Sequence, residues 1–313
     1  MSSIKFDILI NDAFSTFCTD PTHSPIHNKW LLTLVNDYEL GEWRYDRFLD
    51  YIWNNVAETA LSKKERDVLI GEPKSIIRRS SKNLRLTDKD KNGQGSEIAE
   101  ILLYGIMKDY YNALPVVPKI FHKQNIKDNV KGADSVHIVI SDDMKDFSLW
   151  FGEAKFYRTL YDDDLSTFVA SVKDTLDPEK MRKENSIITD LSELDLFEDI
   201  PADLKESIKT CLDKDTSLDM VIPKVHIPIL LLHQCNTTAR TTEMSETYKE
   251  KIIEKHKKKA NEYFTKQLSE MGKMYKYADV TFHLILFPVP DKETIVSAFI
   301  DEARLNSKKV CKK

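Results

Sequence analysis

With 313 residues, of which 41% are hydrophobic, the chain can bury a sizeable core in one large domain or two smaller ones. It contains no apolar run of about 18 residues and no recognisable signal peptide, so we expect a cytoplasmic protein with no membrane partner. A net charge of −5 excludes a uniformly basic nucleic-acid binder but is compatible with a local basic groove. Widely spaced cysteines without a CxxC pair argue against a structural zinc site and a disulfide framework.

The first third of the chain is predicted to be a short strand followed by helices. Residues 1–12 read as the strand, and residues 28–70 carry apolar side chains at helical spacing. The polar stretch SSKNLRLTDKDKNGQGS, residues 80–96, contains Asn-Gly and Gly-Gln-Gly and predicts a loop. We therefore expect a mainly helical N-terminal region over residues 1–85 and a second domain over residues 86–313.

The second domain is predicted to mix helices and strands. A helix over residues 96–111 has Ser96 as its expected N-cap, and strands over residues 135–140 and 147–156 flank the polar segment SDDMKD as a hairpin. Further elements follow in the order strand, helix, strand, helix, over residues 225–233, 244–271, 280–288 and 294–306. This order predicts an α/β fold in which helices flank a mixed central sheet.

Two charges interrupt the apolar strand LWFGEAKFY, residues 149–157. Because strand side chains alternate between faces, Glu153 and Lys155 point to one face and their apolar neighbours to the other. Charges on a face expected to be buried cost several kcal/mol per ion unless they are paired or bind a metal. The alternative is an ordinary Glu-x-Lys pair on an exposed strand.

A second acid is expected beside this pair. If Ser141 pairs with Phe147 at the mouth of the hairpin, Asp134 falls opposite Ala154, one step from both charged residues of the neighbouring strand. An error of a residue or two in this register would still leave Asp134 close to them. The sequence therefore predicts that two carboxylates and a lysine converge at one point of the sheet.

Two or three carboxylates and a lysine are what metal-assisted phosphodiester hydrolysis requires. Carboxylate oxygens hold Mg²⁺, and a lysine orients the attacking water or stabilises charge on the phosphate. Glu97 and Glu100, in the helix that begins at Ser96, could each lean over the same sheet.

The motifs GAD, residues 132–134, and GEAK, residues 152–155, resemble the D…(D/E)xK signature of the PD-(D/E)XK nuclease superfamily. The resemblance implies a restriction-endonuclease-like core in which Asp134 and Glu153 bind Mg²⁺, with Mn²⁺ as the alternative ion, and Lys155 is catalytic. It also implies a third metal ligand on the preceding helix, where we favour Glu97 and keep Glu100 in reserve. Ala133 replaces the proline that names the motif, and that proline binds nothing.

Three segments together, GSEIAEILLYGIMKDYY, KGADSVHIVI and LWFGEAKFY, resemble HamA, the nuclease-subunit family of Hachiman anti-phage defence systems. This resemblance implies action on DNA together with a helicase subunit. The N-terminal region then offers a candidate docking surface, because Trp30, Trp43 and Trp53 are of a residue type enriched in interface hot spots. Each tryptophan is equally compatible with a place in the core.

Four lysines recur every four residues just before Asp134: Lys119, Lys123, Lys127 and Lys131. They could neutralise DNA phosphates beside the metal site, or they could form an ordinary solvated face.

The loop that begins at Asp88 starts like an EF-hand but places Ala99 where the bidentate glutamate belongs, so we do not expect calcium binding. The chain also lacks a P-loop, which predicts no ATPase activity of its own.

The sequence thus predicts a Mg²⁺-dependent deoxyribonuclease, acting as the effector of a bacterial defence complex. The alternative is a catalytically inactive nuclease fold that serves as a DNA-binding or partner-binding regulatory subunit.

Overall fold

The computed structural model describes residues 4–85, 95–114, 120, 133–182 and 200–307. Six of its strands form one sheet, and two short strands form a separate hairpin. In chain order the strands are β1 (Asp7–Ala13), β2 (Lys29–Val35), β3 (Tyr38–Glu39), β4 (Glu42–Trp43), β5 (Ser135–Ile140), β6 (Phe147–Tyr157), β7 (Val225–Gln234) and β8 (Thr281–Val289). The spatial order of the large sheet is β1-β2-β8-β7-β6-β5.

The sheet is mixed. Its four central strands, β2, β8, β7 and β6, run parallel to one another, and the edge strands β1 and β5 are antiparallel to their neighbours. Central strands covered on both faces read as nearly continuous apolar runs, as in PILLL of β7. The predicted α/β class with a mixed central sheet is confirmed.

Helices cover both faces of this sheet. The described helices are α1 (Tyr45–Ala60), α2 (Lys63–Val68), α3 (Pro73–Asn83), α4 (Ser96–Asp109), α5 (Asp162–Thr175), α6 (Ala202–Leu212), α7 (Leu218–Val221), α8 (Asn236–Ala239), α9 (Glu246–Met271) and α10 (Lys292–Ser307). Apolar residues of α1, α4 and α10 pack on one face, and those of α5, α6 and α9 pack on the other. No helix in the described part of the chain is both long and apolar enough to cross a membrane.

The N-terminal region differs from its predicted, mainly helical form. Residues 45–60 are helical as expected, but Lys29–Val35 is strand β2, which pairs with β1 and β8. Its sequence KWLLTLV is nearly continuously apolar because both of its faces are covered, and a short run of this kind does not distinguish strand from helix. The division near residue 85 stays a prediction, and the large sheet contains strands from both sides of it.

Helix α4 begins one residue earlier than the predicted cap implies. Gly95 occupies the N-cap position with φ of +91°, and Ser96 is the first helical residue. A Cβ at position 95 would lie 2.9 Å from side-chain atoms of both Phe156 and Val296. Glycine therefore permits both the left-handed turn and the close approach of α4 to strand β6 and helix α10.

Candidate active site

The hairpin of β5 and β6 builds the centre of the site. Its pairs run from Ser135 with Gly152 to Ile140 with Phe147, and the Ser141 N–H donates to the Asp146 carbonyl at 2.9 Å. Ser141 therefore faces Asp146, and the predicted pairing with Phe147 was wrong by one residue. The Ser141 hydroxyl accepts the Asp146 N–H at 2.9 Å and so closes the turn earlier than hydrophobic spacing suggests.

Asp134 lies at the start of β5, beside the charged end of β6. Its N–H donates to the Gly152 carbonyl at 2.7 Å, and its Oδ2 accepts the Ala154 N–H at 3.1 Å. The same oxygen is 3.3 Å from Lys155 Nζ. Backbone hydrogen bonds thus fix the carboxylate within reach of the lysine, and the structure brings these two predicted site residues together.

Glu153 is buried on the same face of β6, under helix α5. Its Oε2 accepts the Ser171 hydroxyl and its Oε1 accepts the Thr175 hydroxyl, each at 2.7 Å. Burial raises the pKa of Glu153 to about 8, and the charge of Asp134 adds to this rise. The positive charge of Lys155 and the two hydroxyl hydrogen bonds act in the opposite direction.

Sequence reasoning missed Ser171 and Thr175. They lie four residues apart, so both face the sheet from one side of helix α5. Two hydroxyls at this spacing, in an amphipathic helix directly after the charged strand, are the signal that could have identified them. Their hydrogen bonds hold both oxygens of Glu153 in one orientation.

Lys155 is surrounded by negative charge. Burial by itself lowers the pKa of Lys155, but the charges of Asp134, Glu153 and Glu100 together outweigh burial and raise the pKa above its ordinary value. The amine is therefore an ammonium ion at neutral pH. It can stabilise negative charge or orient a water molecule, but it cannot accept a proton as a base.

The two helix acids have different surroundings. The Glu97 Oε1 accepts the Arg85 N–H at 2.7 Å, which directs this side chain toward the end of helix α3. Glu100 is buried, and its charge acts on Lys155. The geometry thus favours Glu100 over Glu97 as the helix acid nearest the lysine, because the rotation of α4 over the sheet places its second acid inward.

The described side chains at this site supply only part of the ligands that a hard cation such as Mg²⁺ requires. Within the described ranges, no three His, Cys, Asp or Glu side chains form a metal-binding group. Mg²⁺, however, is usually bound by one or two carboxylates together with waters and substrate phosphates, and Asp134 and Glu153 supply two. Burial raises the pKa of Glu153 and the charge of Asp134 adds to the rise, and a bound cation would stabilise both carboxylates in their charged forms.

Several other predicted residues contribute nothing to this geometry. Lys119, Lys123, Lys127 and Lys131, like the loop that begins at Asp88, lie outside the described residues. Trp43 and Trp53 are buried in the core, whereas Trp30 is 39% exposed. The docking role of the tryptophans stays a prediction, and two of the three have the core environment that was its alternative.

Comparison with known proteins gave one family match. The family model described as HamA matches residues 11–303, which is nearly the whole chain and includes all the site residues described above. No curated protein matches the chain.

Proposed function

The chain belongs to the HamA family, and from this premise we propose that it is a metal-dependent nuclease that hydrolyses DNA phosphodiester bonds. In this proposal it is the effector of a bacterial Hachiman anti-phage complex that also contains a helicase. The D…(D/E)xK resemblance of residues 132–155 supports the reaction, and the family supports the defence role.

The observation that carries the proposal is the convergence of Asp134, Glu153 and Lys155 at the end of one hairpin. Lys155 Nζ is 3.3 Å from Asp134 Oδ2, and Glu153 lies on the same face of β6. Glu153 is buried and the other two side chains are partly buried, and this is costly unless the charges serve a purpose, because a buried ion loses several kcal/mol of hydration. A charged substrate and its cation would supply that purpose.

Each residue then has a role that follows from its surroundings. Asp134, fixed by the Ala154 N–H, and Glu153, fixed by two hydroxyls, would hold Mg²⁺, with Glu100 as the nearest further acid. Mg²⁺ supplies Lewis-acid polarisation of a phosphate oxygen. Lys155, kept protonated by its acidic neighbours, stabilises the negative charge that develops on the phosphate.

Plasmid cleavage tests the proposal. The purified protein should relax or degrade plasmid DNA in Mg²⁺ and leave it intact in EDTA, and Lys155→Ala should abolish cleavage. Lys224→Ala is the matched control, since Lys224 pairs with Asp146 at the other end of the same hairpin. Equal cleavage by Lys155→Ala and Lys224→Ala would contradict the catalytic role of Lys155. A parent protein that cleaves no DNA with any divalent ion would contradict the nuclease proposal.

One observation favours the alternative of a binding-only subunit. Both carboxylate oxygens of Glu153 already accept hydrogen bonds from helix α5, so the side chain is satisfied without a metal. In that case the Asp134–Lys155 pair would be structural, and Asp134→Ala would destabilise the fold without changing DNA binding. Retained folding with lost cleavage supports the enzyme instead.

The helicase partnership rests on the family alone. Co-expression of the chain with a helicase encoded beside it should give one peak in size-exclusion chromatography. Two separate peaks at micromolar concentration would contradict a stable complex, without bearing on cleavage by the isolated chain.

A further inference from the structure

A row of aromatic side chains crosses one face of the sheet, away from the candidate active site. Trp30 of β2, His283 of β8, His226 of β7 and Trp150 of β6 supply one ring from each of four neighbouring strands. They lie near the starts of these parallel strands, on the face covered by helix α4. Trp150 and Lys155 are separated by about 17 Å along β6 and point to opposite faces.

The rings in this row lie close together with similar orientations. Trp30 and His283 are nearly parallel, with an interplanar angle of 16° and centroids 6.4 Å apart. His226 and His283 are joined edge to edge by a hydrogen bond of 2.9 Å between His226 Nδ1 and His283 Nε2. Trp150 packs on both imidazoles, with its centroid 4.6 Å from that of His226 and 4.3 Å from that of His283. The row ends at Trp30, the most exposed of the four tryptophans of the chain, so a further flat ring can stack on this indole from solvent.

A cavity of about 230 Å³ lies beside this exposed end. Its walls include Trp30, Tyr111, Trp150, His283 and the side chain of Asn11, together with two leucines of β2. Sites for drug-sized ligands enclose about 300–1,000 Å³, so this cavity suits a single ring system. Helix α4 ends at Asp109, and Tyr111 follows it over the row.

The chemistry of the walls selects for a neutral, flat ligand with polar edges. None of these lining side chains carries a formal charge at neutral pH, since burial lowers the pKa of His283 well below its ordinary value. A desolvated ammonium or guanidinium group would lack an anion there. The Asn11 amide already bonds to Tyr110, but it has further donor and acceptor capacity for the edge of a ring.

We propose that this cavity, at the exposed Trp30 end of the aromatic row, binds one unpaired nucleobase. Aromatic side chains on sheet surfaces commonly stack bases of single strands, and amide side chains read base edges. The base comes either from a single-stranded nucleic acid or from a free nucleoside. The site is separate from the candidate active site, and binding can be measured without cleavage, so the proposal stands independently of nuclease activity.

Tryptophan fluorescence in EDTA tests the proposal. Stacking of a base on Trp30 should quench the emission of this exposed indole, while the buried Trp43 and Trp53, which do not line the cavity, serve as background. The titrants are deoxyadenosine, a short oligothymidylate, and an abasic deoxyribose-phosphate strand of equal length. Quenching by the nucleoside identifies a free-nucleoside site, and quenching by the oligonucleotide alone identifies a strand site. Quenching by neither, or equal binding of the abasic strand, would overturn the proposal.

Variants give a second readout with a labelled oligothymidylate or nucleoside. Trp30→Ala should weaken binding about tenfold, in line with stacking energies measured for single bases, and Trp30→Phe should restore much of it. Tyr275→Ala is the matched control, because Tyr275 is an exposed aromatic residue that does not line the cavity. Unchanged affinity in Trp30→Ala, with folding verified by circular dichroism, would contradict the site.

Discussion

The ionisation of Glu153 makes the stability of the folded chain depend on pH. Its pKa in the folded chain is about 8, above the ordinary value of 4.5, so the folded state binds more protons than the unfolded state between these values. Its contribution to stability is complete below pH 4.5 and is lost as the pH rises through about 8. The metal-free protein should accordingly become less stable across this window.

We expect Glu153→Gln to remove this pH dependence. Glutamine cannot ionise, and the hydroxyls of Ser171 and Thr175 can accept as well as donate. At pH 8 in EDTA the variant should be more stable than the parent by on the order of 4 kcal/mol, and at pH 4.5 the two should be similar. Urea denaturation at both pH values measures this. Glu250→Gln, a substitution at an exposed position, should have the same free energy of unfolding as the parent at both pH values. If Glu153→Gln also matches the parent at both pH values, the result would contradict the burial of a charge at Glu153.

The hydroxyls above Glu153 should set metal affinity. Residues that orient a metal ligand typically change affinity or activity by about 10- to 100-fold when removed. We expect Ser171→Ala combined with Thr175→Val to raise the Mg²⁺ concentration needed for half-maximal cleavage by about tenfold. Calorimetric titration with Mg²⁺ in the absence of DNA should show the same weakening.

Thr175→Ser is the conservative control for this pair, because it keeps the hydroxyl and should keep the metal affinity. An active parent with an unchanged Mg²⁺ requirement in the double variant would show that the hydroxyls only fill space.

At the scale of elements, the packing of α4 on α1 depends on one small residue. A Cβ on Gly105 would lie 2.7 Å from Tyr51 Cε1 and 2.8 Å from Asn55 Nδ2. Alanine is favoured over glycine inside a helix by about 1 kcal/mol, but overpacking a core costs about 1–3 kcal/mol. We expect Gly105→Ala to be destabilising by about 1 kcal/mol in urea denaturation. A more stable variant would show that α1 moves aside at little cost.

Local patterns predicted the hairpin of β5 and β6 well and its register poorly. Two strands around a polar turn, and the shared face of Glu153 and Lys155, follow from a period of two. The register depends on Ser141, whose side chain closes the turn, and hydrophobic spacing does not show this. Which acid of α4 faces the site, and whether the hydroxyls of α5 face it, depend on how each helix is rotated on the sheet. The sequence therefore did not identify Ser171 and Thr175, and it ranked Glu100 behind Glu97.

At the scale of the whole molecule, the N-terminal region is part of the sheet. Strand β2 pairs with β8 along Lys29 to Thr33, and helix α1 packs on α4. Removing residues 1–80 would expose the apolar edge of β8 and one face of α4, so we expect the truncated chain to be insoluble or unfolded. Circular dichroism and limited proteolysis of the truncated protein measure this.

A folded and monomeric fragment would instead show that residues 86–313 form an independent domain. The truncation is for this reason a poor test of helicase docking, which calls for surface substitutions that leave β2 in place.

The pairing of β2 with β8 also has a consequence for synthesis. Strand β2 is translated early, but the neighbour that covers its inner edge is completed only at Val289. A nascent chain on the ribosome already contains Asp134, Glu153 and Lys155 long before this edge is closed. The sheet that holds these residues in place is therefore completed only after β8 has been translated, and a premature stop codon before β8 yields a chain without a completed sheet.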